Sequence, residues 1–208
     1  MADAYPVNLA IDYPDRKLNR LSSALRIFWV IPIAIVLALL LGVAFPTGAK
    51  EGMGSYGVTG IGVVVLPLIL MILFRRKYPK WWYDWNLELT KFMFRVRVYG
   101  SLMTDVYPST DEEQTVHIEM PYPEAAQLNR WLPLVKWFLA IPHIIVLAFL
   151  GIAAFVVIII AWFAILFTGR FPKDLFTFVL DVARWGLRVV AYALMMITDK
   201  YPPFRLGV

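Results

Sequence analysis

The chain has 208 residues, of which 60% are hydrophobic, 15% aromatic and 17% charged, with a net charge of +5. Soluble domains carry about 25% charged and about 45–50% apolar residues, so the composition excludes an ordinary soluble domain and points to a membrane. The absence of cysteine excludes disulfides, thiolate metal sites and a cysteine nucleophile.

The opening "MADAYPVNLAIDYPD" lacks a basic n-region and an apolar core, so no cleaved signal peptide is expected. Within it Val7, Leu9 and Ile11 alternate with other residues, the pattern of a strand with one apolar face. This opening is the first half of a repetition. "VNLAIDYPD" (7–15) aligns with "VHIEMPYPE" (116–124), and "LNRLSSALRIFWVIPIAIVLALL" (18–40) aligns with "LNRWLPLVKWFLAIPHIIVLAFL" (128–150) at an offset of 110. "FRRKYPK" (74–80) answers "FTGRFPK" (167–173) at an offset of 93, and "TDVYP" (104–108) answers "TDKYP" (198–202). Self-similarity of this kind reads as two units, 1–109 and 110–208, joined through "STDEEQ". The first is 17 residues longer around "PTGAKEGMGSYGVTG". Proline follows an aromatic residue at Tyr5, Tyr13, Tyr78, Tyr107, Tyr122, Phe171 and Tyr201. Proline disfavours helix in the residue before it, so these dipeptides are expected at element boundaries.

Residues 27–49 and 52–74 are runs of 23 without charge, and about 20 helical residues cross a hydrocarbon core. In the second unit 137–169 is a single uncharged run of 33. As one helix it would reach ~50 Å, too long for one crossing, and alignment with the first unit puts a turn near Gly151. The expected fold class is a mostly α membrane protein of two tandem parallel repeats. Each repeat is a short strand, a transmembrane helical hairpin and an interfacial amphipathic helix, giving four transmembrane helices. A re-entrant hairpin is the alternative. Arg16, Lys17, Arg20, Arg75, Arg76, Lys77, Lys80, Arg130, Arg170 and Lys173 flank the apolar runs on one side, and Lys50 alone on the other. The positive-inside rule then places both termini and the linker in the cytoplasm.

Behind "RR" comes "KYPKWWYDW", in which Trp81, Trp82 and Trp85 stand where an interfacial aromatic belt would lie. Asp84, Glu88, Lys91 and Arg95 share one face of the helix that follows. Thr177, Asp181, Arg184 and Arg188 hold the equivalent positions in the second unit. A narrow polar stripe on an otherwise apolar helix suits a helix lying in the interface plane. The stripe reads either as an intrahelical ion ladder facing water or as a site for lipid phosphate or an acidic partner.

Arg26 and Lys136 are equivalent, each six residues before a proline inside the first apolar segment. Snorkelling to headgroups explains them; gripping lipid phosphate or pairing with the stripe is the alternative. His143 is the one titratable group near mid-membrane, and Ile33 replaces it in the first unit. An intramembrane ionisable group is a functional candidate, axial ligation of a haem or chlorin included, but a lone histidine reads first as a neutral, hydrogen-bonded packing residue. No phosphate loop, metalloprotease motif or nucleophile elbow is present.

"LAIPHIIVLAFLGIAAFVVIIIAWFAILFTGRFPKDLF" together with "AYALMMITDKYPPF" resembles the bacterial membrane family DUF4389, a domain of unknown function, over about residues 120–205. The first unit resembles it more loosely, with "FRRKYPK" at the turn and isoleucine in place of His143. The resemblance implies a small, multi-pass protein of the bacterial inner membrane, and implies no activity and no catalytic residues.

The function expected from these features is non-enzymatic: a membrane scaffold or accessory subunit of a membrane complex. It would engage the bilayer, anionic headgroups or a protein partner through its interfacial helices, with no cofactor and no nucleic acid. A small transporter or channel, necessarily a homo-oligomer, is the alternative.

Overall fold

The computed structural model describes residues 5–41, 68–124 and 128–207. The first external loop with Lys50, and most of the apolar run 52–74, lie outside the described residues. In chain order come β1 (Asn8–Ile11), α1 (Arg20–Ala24), α2 (Arg26–Leu40), a π-helical turn (Met71–Arg75), α3 (Lys80–Gly100), β2 (Val116–Glu119), α4 (Leu132–Thr168) and α5 (Lys173–Ala193). The chain is mostly helical, with six helical segments among the described residues.

The two strands form where the alternation places them. β1 and β2 pair antiparallel with Leu9 opposite Ile118 and Ile11 opposite Val116. Val7, Leu9, Ile11, Val116, Ile118 and Met120 are buried together, while Asn8, His117 and Glu119 face out. Among the described residues the sheet has two strands; the segments around Tyr107 and Tyr201 remain outside it, and their prolines (Pro108, Pro202, Pro203) lack the N–H groups a ladder needs. A two-stranded ribbon is marginal alone, and here helices cover it: β2 packs on α3 and β1 on α5. Beneath them α2 packs on α3, and α4 on α5, so the molecule is layered as ribbon, inner helices and outer helices.

The aromatic-proline dipeptides mark boundaries for a physical reason. Pro79 and Pro172 have φ near the value their rings impose, −66° and −60°, with extended ψ, and α3 and α5 begin directly after them. The preceding turn ends in the left-handed region at both places, at Arg76 (φ 46°) and Gly169 (φ 74°). Glycine takes that conformation without penalty, whereas a side chain is strained by about 1–2 kcal/mol, so the turn of the first half is the less relaxed one.

One expectation fails outright. No turn interrupts the chain near Gly151: α4 runs as one helix of 37 residues, with a contour length of ~55 Å. A lone glycine costs a helix only about 1 kcal/mol, and no polar group, cap or second proline near it offers the backbone another partner. Among the described residues α4 is the one helix long and apolar enough to cross a membrane. Four crossings are not shown among the described residues, and most of the second apolar run lies outside them.

Contacts that tie the halves together fall in pairs. The Tyr13 hydroxyl donates to the Phe171 carbonyl, and the Tyr122 hydroxyl to the Tyr78 carbonyl. Arg20 donates to the Phe167 carbonyl, and Arg130 to that of Leu73. Each strand segment thus grips the basic turn of the other half. Tyr78 also donates to the Met195 carbonyl at 2.8 Å. Burial first, then the neighbouring Tyr83 and Tyr122, raises its pKa above the usual tyrosine value, which is about 10. A raised pKa means that the unfolded chain loses the proton first, so the stabilisation is whole below about pH 10 and is lost as pH rises towards the folded-state value. Thermal midpoints in detergent should therefore fall between about pH 8 and about pH 11, and Tyr78→Phe, though less stable at the lower pH, should fall by less. An equal alkaline loss in the variant would remove Tyr78 from this role.

Candidate functional site

The buried charges are the first feature from which a site can be built. Arg26 is 3% exposed and Lys136 is fully enclosed, although each belongs to an apolar helix. Neither snorkels. Arg26 ion-pairs with Asp105, donates to the Thr104 carbonyl at 2.9 Å and lies 4.1 Å from the centre of the Tyr99 ring. Lys136 sits 2.8 Å from Asp199 and 2.8 Å from the Thr198 carbonyl, with the Tyr192 ring at 5.1 Å. The other oxygen of each carboxylate accepts a backbone N–H, from Asn19 or Asn129, at 2.6 Å. Asn19 in turn caps α1 through Leu21 and Ser22, and Asn129 accepts from Trp131 ahead of α4. One aspartate thereby fixes a buried cation and the start of a helix together. The repeated Thr-Asp pair was visible in the sequence as the close of each unit, 79 residues after Arg26 in one and 63 after Lys136 in the other. Read as a mere closing motif, it gave no partner.

The polar stripes divide into two kinds of contact. Glu88 and Lys91 pair at 2.7 Å, and Asp181 and Arg184 at 2.9 Å, each one helical turn apart, as an ion ladder requires. Arg95 and Arg188 are buried instead and act as tethers. Arg95 donates to the carbonyls of Ser109 and Thr110, both at 3.2 Å, and Arg188 to those of Arg205 and Gly207. Asp84 is exposed, as is Thr177, whose hydroxyl returns to the Lys173 carbonyl.

Each stripe faces one edge of the ribbon, leaving two small clefts. Lys91, Arg95, Glu113 and β2 line one of about 180 Å³. Arg184, Arg188, Arg205, Tyr5 and β1 line another of about 210 Å³. Arg184 also donates to the Leu9 carbonyl at 2.9 Å. Burial lowers the pKa of Arg188, and the nearby positive charges of Arg205 and Arg184 lower it further, so three guanidinium groups face the second cleft with Asp181 as the carboxylate beside them. Arg205 was not among the residues singled out from the sequence, where it stands alone in the C-terminal "PPFRLGV". Such a cleft can take a small anion or an acidic side chain.

His143 is enclosed in an aromatic cage. Its Nδ1 accepts the Trp185 indole N–H at 3.0 Å, its ring stacks on Phe204 at 3.9 Å, and Tyr201 closes a third side. The neutral ring then carries its proton on Nε2, which is walled in by protein. The Trp185 indole thus occupies one ring nitrogen, and protein covers the other. Of the three tryptophans expected in the aromatic belt, Trp81 and Trp85 are exposed and Trp82 is half-buried against Trp81, which leaves two of these indoles free for an interface.

Removing one partner of a buried ion pair leaves the other charge uncompensated, at a cost of about 3–5 kcal/mol. Asp199→Ala should therefore lower stability by about 3 kcal/mol in denaturant titrations, and pairing Lys136→Met with Asp199→Asn should recover more than half of that loss. A double variant as unstable as the single one would show that the charge on Lys136 is not the cause.

Residues 131–205 match the family described as Domain of unknown function (DUF4389). The chain thus carries one domain of this family, which spans α4, α5, the Lys136–Asp199 pair, the His143 cage and Arg205. Neither a curated protein nor a solved structure matches the chain.

Proposed function

We propose that this chain is a non-enzymatic scaffold or accessory subunit of a membrane complex, held in the bacterial inner membrane by its outer helices. The observation that carries this reading is the surface of α4. Phe138, Phe149, Phe155 and Phe167 are 71%, 70%, 64% and 77% exposed, on a helix whose few polar side chains turn inward. Water would oppose so large an apolar surface; lipid tails or apolar partner helices would not. α2 adds exposed Ile27, Phe28 and Trp29. The clefts beside the stripes, and the exposed Trp81 and Trp85, supply a headgroup-facing side with donors for acidic lipids or an acidic protein segment.

In this reading residues 1–109 form a diverged counterpart of 110–208, which is supported by the matched contacts of Arg26 with Lys136, Asn19 with Asn129 and Tyr13 with Tyr122. Both flanks of α4 are basic, with Arg130 before it and Arg170 after it. The positive-inside bias then sets both flanks in the cytoplasm, and an uninterrupted helix with both ends on one side lies along the bilayer surface, its exposed apolar side chains sunk among the acyl chains.

Two measurements on intact cells and isolated membranes test this. The protein should stay in the membrane through an alkaline carbonate wash. Single cysteines replacing Glu124 and Lys173 should both react with an impermeant thiol reagent only after the inner membrane is opened. Release by carbonate would overturn membrane embedding, and labelling of the two positions from opposite sides would overturn the placement of α4 along one face and show that it crosses.

A further inference from the structure

The largest cavity in the described residues lies away from the stripes and clefts. It is a groove of about 790 Å³ between the first half of α4 and the second half of α5, lined by Trp137, Ala140, Ile144, Ala148, Gly186 and Ala193 among other apolar residues. That volume falls in the range of small-molecule sites, about 300–1,000 Å³. One charged group borders it. A Cβ on Gly186 would stand 4.0 Å from Nη1 of Arg97, which reaches over from α3. Arg26, Arg95 and Arg188 all have carbonyl or carboxylate partners; Arg97 has none among the described residues. Its side chain is exposed on α3, although the neighbouring protein displaces enough water to lower its pKa below the usual arginine value.

A guanidinium without a counter-charge at the mouth of an apolar groove is complementary to a molecule that is anionic at one end and apolar beyond it. We propose that Arg97 and the α4–α5 groove bind an anionic phospholipid, with a phosphate oxygen on the guanidinium and an acyl chain along the groove. The two halves differ at this point, since Val190 is the counterpart of Arg97 and Met93 that of Gly186. The site is therefore single rather than duplicated. Planar guanidinium suits phosphate because it offers parallel N–H donors to two oxygens, and the absent side chain at Gly186 lets the headgroup approach. The inference rests on the bilayer reading above but concerns a different surface from the stripes.

The test uses full-length protein delipidated in mild detergent and native mass spectrometry with added phosphatidylglycerol or phosphatidylcholine. Phosphatidylglycerol should be retained in preference. Arg97→Gln should reduce that preference about tenfold, the scale of one charge-assisted hydrogen bond, while the weaker retention of phosphatidylcholine stays. Ala148→Phe, at an exposed position of the groove, should reduce retention of both lipids, and Arg170→Gln should change neither. Glycerol phosphate, which has the anion without the chain, should not displace bound lipid. Unchanged preference in Arg97→Gln, unchanged retention in Ala148→Phe, or displacement by glycerol phosphate would each overturn the proposal. A photocrosslinker at Ala148 that captured a protein helix in native membranes in place of lipid would overturn it as well. Carbonate resistance of the same variants reports on the bilayer reading separately, so failure of the one is distinct from failure of the other.

Discussion

A cation inside an apolar helix has to be met by an anion, and the rest of the structure is arranged around that requirement. Arg26 and Lys136 cannot reach water from where they sit, and an isolated buried charge costs several kcal/mol even after relaxation. Asp105 and Asp199 meet the two charges from the segments that close each half. Because the same carboxylates hold the backbone of Asn19 and Asn129, satisfying the charge also fixes where α1 and α4 begin relative to the ends of α3 and α5. Tyr99 and Tyr192 add their ring faces to the cations, a contribution that grows as water is excluded. The basic residue, the Thr-Asp pair, the asparagine and the tyrosine act as one unit.

The second constraint is the ribbon. A strand leaves unpaired backbone groups along its edge, and among the described residues neither β1 nor β2 has a partner within its own half. Each pairs with the other, rests on an inner helix of the opposite half, and sends a tyrosine hydroxyl to the opposite basic turn. The hydrophobic core follows from this exchange: Leu9, Ile118, Phe94, Phe176, Leu187 and Ile165 belong to one cluster. Burying a side chain of that size stabilises by about 1.5–3 kcal/mol, and here the gain accrues only when both halves are present.

Much of this was legible in the chain, for reasons that can be named. Strands of four residues were found because period-two alternation in Val7–Ile11 and Val116–Met120 allows one buried face. Helix starts were found because proline locks the backbone at Pro79 and Pro172. Equivalence of Arg26 and Lys136 was visible from alignment, but their partners were not, since an ion pair between residues 79 apart in sequence leaves no local periodicity. The turn near Gly151 was wrong because only length and the alignment with the first unit argued for it, and no local breaker did. Lipid thickness limits a straight crossing and says nothing about whether an uninterrupted apolar run stops being helical. The Arg97–Gly186 approach was equally invisible, since the two residues are not counterparts in the repeat: Val190 answers Arg97 and Met93 answers Gly186.

Charges on the inner helices illustrate how burial sorts residues of one type. Lys91 and Arg184 sit where i,i+3 carboxylates meet them, whereas Arg95 and Arg188, one turn further on, are covered by the linker and the C-terminal segment and hold carbonyls instead. The stripe is thus partly a ladder and partly a set of clamps, and the groups still directed at the clefts are the ones open to an external anion.

The interlock between halves is tested most directly by a disulfide across the ribbon. The chain has no cysteine of its own, and Asn8 and Glu119 are register partners, both facing out. With cysteine at both positions, mild oxidation of native membranes should close an intramolecular bond in a chain that still migrates as a monomer of 23.9 kDa. Cross-linked dimers alone, or no bond under conditions that oxidise exposed control pairs, would contradict the exchange of strands on which the fold depends.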